Sequence, residues 1–271
     1  VTATPLPSIL LVGCGKMGGA MLEGWLERGV EQVVVVEPFA AAAEAFAGRV
    51  TLCAGAGEIP LDFTPSAVVL AIKPQEAGKT LPAYRRFAQA DALVVSIMAG
   101  RTVSGITHLL GGRARVVRAM PNTPAAVRQG FTCAFPGPGV TPDQRMLCEA
   151  LLSAVGESAW VEAEALIDPV TAVSGGGPAY VFLLAELLEA AAIEQGLPPD
   201  LARRMARRTV SGSGALLAAS ELDSAQLRRN VTSPKGTTER ALNVLMAPEA
   251  LPRLISEAIA AATARSRELA G

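Results

Sequence analysis

The stretch Asn230–Leu242 (NVTSPKGTTERAL) holds more potential chemistry than any other part of this chain. Pro234 and Gly236 set a tight turn, and Thr237, Thr238 and Glu239 open a helical pattern running to about Met246. The first N–H groups of a helix lack partners within it, and the helix dipole puts partial positive charge at that end. Backbone donors at Gly236, Thr237 and Thr238, with the two threonine hydroxyls and Ser233, suit a small carboxylate. An ordinary capped helix start uses the same residue types. The choice depends on the rest of the chain.

A second cluster of candidate residues lies near the N-terminus. Gly13-Cys14-Gly15-Lys16-Met17-Gly18 is a G-x-G-x-x-G loop between an apolar strand, Ile9–Val12, and a helix expected from about Met17 to Arg28. Glycines at this spacing permit the turn and let a pyrophosphate approach the helix N-terminus. The next aliphatic run, 32–36, ends at Glu37, where an acid that binds adenosine ribose hydroxyls is expected. A Rossmann-like module without a cofactor would show the same pattern. Residues 38–48 hold no Arg or Lys to receive a 2′-phosphate, so NADH is expected to serve at least as well as NADPH.

Other candidates follow later strands. Ala71 and Lys73-Pro74 close the strand Ala67–Ile72, at the carboxyl edge where open α/β sheets bind ligands. A lysine there is otherwise a solvated surface charge. Met98-Ala99-Gly100 follows the strand Leu93–Ile97 and forms a small turn that admits a flat ring. After the strand Arg115–Ala119, two prolines hold Asn122 and Thr123 in a rigid Met-Pro-Asn-Thr-Pro loop.

These loops require a particular scaffold. Helices at Ala40–Ala47, Thr102–Leu110 and Pro142–Ala154 alternate with strands that also include Val50–Cys53, Phe131–Phe135 and Glu157–Val161. Such alternation predicts a mostly parallel, doubly wound α/β sheet of Rossmann type over residues 8–164, after a loose tail at 1–7. Beyond Glu164 the strand signal ends, and 165–271 reads as an all-α domain. Its expected helices are Leu166–Val173, Pro178–Gln195, Leu201–Ser220, Ala225–Val231, the one after Gly236, and Leu251–Leu269, with a break at Ser174–Gly177. The helix at 178–195 is apolar on nearly all sides, which calls for a second chain against it.

Composition sets limits. The 271 residues are 50% hydrophobic and 18% charged, enough for two cored domains. A net charge of −1 gives no electrostatic case for nucleic acid or an anionic membrane. The four arginines at 203, 204, 207 and 208 read as a solvated helix face. Cys14, Cys53, Cys133 and Cys148 show no ligand spacing and His108 is the one histidine, so no metal site is expected. Reduced thiols fit a cytoplasmic protein. No signal core is seen, and the charge-free run 169–185 contains Ser-Gly-Gly-Gly-Pro, which argues against a membrane span.

The signature stretch, Ser174–Tyr180 (SGGGPAY), Met120–Pro124 (MPNTP) and the glycine-rich N-terminus together resemble the pyrroline-5-carboxylate reductase family over nearly the whole chain. The resemblance implies NADPH- or NADH-dependent reduction of 1-pyrroline-5-carboxylate to L-proline, the last step of proline biosynthesis. It places Gly13, Gly15, Lys16, Met17, Gly18, Glu37, Ala71, Lys73, Pro74, Met98, Ala99 and Asn122 at the cofactor, with Asn122 at its nicotinamide end. On the substrate side, Ser174, Gly175 and Gly177 shape the pocket, and Ser233, Gly236, Thr237 and Thr238 hold the carboxylate. Thr238 is the candidate for bonding the ring nitrogen, and Glu221 faces either the site or solvent. The family also implies a homodimer of interlocked helical domains, with assembly into a decamer (a pentamer of dimers) and active sites completed by both chains. Two positions depart from its pattern: Lys235 stands where glycine is usual, and Gly176 where serine is usual.

The residue inventory favours an imine over an alcohol. Alcohol oxidation needs a base to take the hydroxyl proton, and the β-hydroxyacid dehydrogenases of similar architecture use a lysine after a glycine-rich segment. Residues 174–195 contain no lysine. A cyclic imine protonated on nitrogen accepts hydride with positioning alone. A related imine or ketimine reductase, and a dinucleotide-binding redox sensor without turnover, are the alternatives.

Overall fold

The computed structural model describes residues 6–270. The expected loose tail therefore lies mostly outside the described residues. Its last part is not loose: Leu6 is buried, and its carbonyl accepts the Glu31 N–H at 2.7 Å.

Among the described residues eight strands form one sheet: β1 (Ile9–Val12), β2 (Val33–Val36), β3 (Thr51–Cys53), β4 (Ala67–Leu70), β5 (Leu93–Ser96), β6 (Arg115–Met120), β7 (Gly130–Pro136) and β8 (Gly156–Trp160). Their order is β3-β2-β1-β4-β5-β6-β7-β8. The first six are parallel, β7 runs antiparallel to β6, and β8 is parallel to β7. Strands β1, β2, β4 and β5 are buried along their whole length, as the aliphatic runs require of strands covered on both faces.

Alternate residues feed two cores. Ile9, Leu11, Val33 and Val35 meet Met21, Leu22 and Trp25 of α1 (Lys16–Glu27) on one face. Leu10, Val12, Val34 and Val36 meet Leu81, Phe87 and Ile106 on the other. That second layer includes α3 (Ala77–Thr80), α4 (Arg85–Gln89) and α5 (Val103–Leu109), while α2 (Ala40–Ala43) and α6 (Pro142–Leu152) cover the first face. Sequence periodicity gave no reading of the stretch 74–90. It alternates 3₁₀ and α turns of three to five residues, too short for a 3.6-residue pattern to register.

The helical part contains α7 (Ile167–Val170), α8 (Gly177–Glu194), α9 (Pro199–Ala219), α10 (Ser224–Asn230), α11 (Thr237–Leu245) and α12 (Leu251–Ala270). The break expected at Ser174–Gly177 takes a mild form, a π segment followed by a bend at Gly176. A 3₁₀ turn, α7, a π segment over Thr171–Gly175 and α8 follow one another, and Gly176 keeps right-handed helical angles. The run Glu164–Glu194 is consequently long and apolar enough to cross a membrane, by length and composition only.

Contacts divide the chain into two units. One holds the sheet and extends to Gly175, then takes the chain again from Ala262; the other is Gly176–Ala261.

Candidate functional site

In the sheet unit, strand order reverses beside β1, which has β2 on one side and β4 on the other. The loops after β1 and β4 meet there. Gly13 has φ +92°, and a Cβ on it would lie 2.7 Å from the Ala71 carbonyl oxygen. A Cβ on Gly18 would collide with the Gly13 carbonyl and press on the Ala71 methyl. Gly15 faces open space, and α1 starts after it with no side-chain cap. The open backbone and uncapped N–H groups at Lys16 and Met17 fit a pyrophosphate.

Glu37 follows β2, and its carboxylate is fixed by two backbone donors. Cys14 N–H donates to Oε2 at 2.8 Å and Phe39 N–H to Oε1 at 3.0 Å. The acid is thus locked against the glycine-rich loop with lone pairs left for a diol. Burial, with the Glu37 charge adding to it, pushes the Cys14 thiol up to about 11, so no thiolate forms beside the phosphate position at neutral pH.

The later loops divide in behaviour. Lys73 is exposed, and the Pro74 carbonyl accepts from Arg101 Nε at 2.9 Å. Met98 is buried in the core, so its backbone is what it can offer a ligand, whereas Ala99 is half-buried. Asn122 is held at both ends of its amide: Oδ1 accepts the Phe131 N–H at 2.9 Å, and Nδ2 donates to Ser174 Oγ at 3.1 Å. The structure therefore joins one expected cofactor residue to one expected substrate residue. A Cβ on Gly175 would make ordinary contact with Met120 and Thr171.

The signature loop lies in the helical unit. Gly236 N–H donates to the Ser233 carbonyl at 3.0 Å, closing a turn with Pro234 and Lys235 at its centre. This corrects one expectation: the Gly236 donor is used by the turn, leaving those of Thr237 and Thr238. Glu239, one turn into α11, accepts the Lys235 N–H at 2.9 Å, while the N-terminus of α11 has no side-chain cap. Ser233, Thr237 and Thr238 are exposed, as is Glu221 just past α9. Gly177 opens α8 half-buried.

Lys235 has φ +58°, a left-handed conformation that costs a side-chain residue about 1–2 kcal/mol. Glycine would remove that strain but gain about 0.4–1 kcal/mol of unfolded-state entropy. Lys235→Gly is accordingly expected to stabilise the protein by about 0.5–1 kcal/mol, read as a higher thermal midpoint. An unchanged or lower midpoint would show that the lysine side chain makes compensating contacts.

Two residues escaped the sequence reading. Phe39 is 76% exposed beside Glu37, a flat apolar face signalled only by its place after Glu-Pro. Arg118 is 1% exposed in the middle of β6, signalled only by a charge inside an apolar strand.

The chain is similar to known proteins over nearly its whole length. A family model described as pyrroline-5-carboxylate reductase dimerisation matches residues 164–269. Another, described as NADP oxidoreductase coenzyme F420-dependent, matches 8–100. The pyrroline-5-carboxylate reductase of Pseudomonas aeruginosa is 37% identical over 97% of each chain, and that of Pasteurella multocida 32% identical over 97% of each. A solved pyrroline-5-carboxylate reductase from Coxiella burnetii superposes with a TM-score of 0.89 at 34% identity, covering 97% of this chain and 98% of that one.

Proposed function

The chain belongs to the pyrroline-5-carboxylate reductase family, and from that membership we infer how its own residues carry out the reaction. The protein reduces 1-pyrroline-5-carboxylate to L-proline with NADH or NADPH, in proline biosynthesis. The reduced nicotinamide, when bound, supplies a hydride to the imine carbon, and the proton already on the ring nitrogen stays there. The chain's residues are left with binding and orientation. The observation that carries this reading is the uncapped start of α11, with donors at Thr237 and Thr238 beside the Ser233 turn.

In this assignment the Thr237 and Thr238 N–H groups and Ser233 hold the carboxylate, and the Thr238 hydroxyl accepts from the iminium N–H. Gly13, Gly15, Lys16, Met17 and Gly18 cradle the pyrophosphate, and Glu37 takes the adenosine ribose. In the same assignment the exposed Phe39 ring covers the adenine. Ala71, Lys73, Pro74, the Met98 backbone, Ala99 and Asn122 border the nicotinamide half, while Ser174, Gly175 and Gly177 shape the pocket. No side chain in these sets needs to act as a base. Turnover is tested by following oxidation of reduced nicotinamide on adding pyrroline-5-carboxylate. Faster turnover of the six-membered piperideine analogue would instead favour another imine reductase, and binding without oxidation would favour a sensor.

Glu37 should also set the choice of cofactor. A 2′-phosphate would sit against a carboxylate that two backbone donors prevent from turning away. Repulsion of about 1–4 kcal/mol per close pair of charges follows. NADH is expected to be used at least as well as NADPH. Glu37→Ser should raise the NADPH/NADH ratio of kcat/KM at least about tenfold, and an unchanged ratio would remove Glu37 from cofactor selection.

The helical part supports oligomerisation, and a family model for dimerisation covers it. Assembly as a pentamer of dimers, and a cytoplasmic location suited to four free thiols, complete the proposal.

A further inference from the structure

We propose that Arg118 is a positioning residue, a buried ionic hub that holds three loops of the nicotinamide side in register. The inference rests on the assignment of those loops given above. Arg118 Nη1 lies 3.3 Å from Glu164 Oε1, and Nη2 lies 3.3 Å from Asp168 Oδ1. The same Glu164 oxygen accepts the Val103 N–H at 2.8 Å, and the same Asp168 oxygen accepts from Ser266 Oγ at 2.8 Å. One guanidinium thereby connects four elements of the sheet unit.

Each connected element borders a candidate loop. Val103 begins α5, immediately after the turn at Met98–Thr102. Arg118 lies in β6, two residues before Met120 and four before Asn122. Asp168 lies in α7, which leads into the π segment whose Ser174 bonds Asn122. Ser266 lies in the last part of α12, where Leu269 packs so closely on Gly100 that a Cβ there would be 2.8 Å from the Leu269 Cβ.

Stability does not account for such a hub. A buried ion pair usually contributes no more than well-packed apolar residues, because desolvation offsets the attraction. Arg118 even leaves its Nε buried without a partner among the described residues. What the planar fork provides is direction: its two ends fix two carboxylates from separate segments at one angle, which a lysine cannot do. Small displacements of loops that align a hydride donor lower the rate steeply.

The double variant Arg118→Met/Asp168→Leu separates the two roles. It removes both buried charges of the Arg118–Asp168 pair, and Glu164 retains access to water. We expect a thermal midpoint close to that of the unaltered protein, a kcat at least about tenfold lower, and a cofactor KM raised about threefold or more. Unaltered kinetics in a folded double variant would overturn the proposal. Should that variant not fold, Ser266→Ala and Ser266→Thr provide the test. A cofactor KM raised by alanine and restored by threonine supports the hub, and identical kinetics for both overturn it. Asn122→Ala, measured alongside, probes the loop directly. If it weakens cofactor binding while the double variant does not, the hub fails and the site assignment stands. If Asn122→Ala has no effect either, the assignment fails and the proposal with it.

Discussion

Thr238→Ala is expected to lower kcat/KM for pyrroline-5-carboxylate by about 10- to 150-fold, with dinucleotide affinity unchanged. The size follows from the bond at stake. A hydroxyl accepting from a charged iminium is worth about 1.5–3 kcal/mol, and each 1.4 kcal/mol is a factor of ten in rate. Thr238 is exposed at the second position of α11, where its N–H has no side-chain cap to displace. Alanine preserves that N–H and the helix start, so carboxylate binding through the backbone survives. Thr238→Ser keeps the hydroxyl and should recover most of the rate. The loss should appear in kcat as well as KM if the bond strengthens while hydride arrives. Equal kcat/KM for Thr238→Ala and the unaltered enzyme would remove the hydroxyl from the mechanism and leave the backbone donors as the substrate contact.

The second large effect concerns assembly. In the single chain no residue of α8 is buried, and Phe182 and Leu187 are 67% and 57% exposed in a helix whose composition is that of a core. Water contact on this scale is not sustained in solution, and a dimerisation family covers the segment. Covering one leucine contributes about 1.5–3 kcal/mol. Two-fold symmetry repeats each substitution, so Leu187→Asp should weaken the dimer by about 3–6 kcal/mol, a factor of roughly 10² to 10⁴ in dissociation constant. Burying the new carboxylate adds to that cost. Sedimentation equilibrium over falling concentration, with activity followed in parallel, provides the measurement. The control is Leu61→Asp, since Leu61 is 91% exposed on the sheet unit and should change nothing. A Leu187→Asp protein that stays dimeric at nanomolar concentration would show that α8 meets something other than a second copy.

Much of this protein was determined by local sequence alone. The glycine-rich loop is legible because a strand, three glycines and a helix are adjacent in sequence, and the positive φ of Gly13 and the clash of a Gly18 Cβ with the Gly13 carbonyl arise within the loop itself. Continuous aliphatic runs read as buried parallel strands for the same reason, as does the Pro-Lys-Gly turn before the threonines. Tertiary structure decided what those parts were connected to. Nothing near Arg118 in sequence announces Glu164, Asp168 or Ser266; the two carboxylates lie 46 and 50 residues away, and Ser266 a further 98 beyond Asp168. Glu37 could be placed at the end of β2, but its binding of the Cys14 N–H depends on how β1 and β2 pair. The antiparallel direction of β7 and the π form of Thr171–Gly175 were likewise invisible. A residue's conformational preference acts over a few neighbours, and a sequence displays that directly. Which distant groups a side chain meets is fixed only when burial brings the elements together, and the hydrogen bonds that result then select the working geometry.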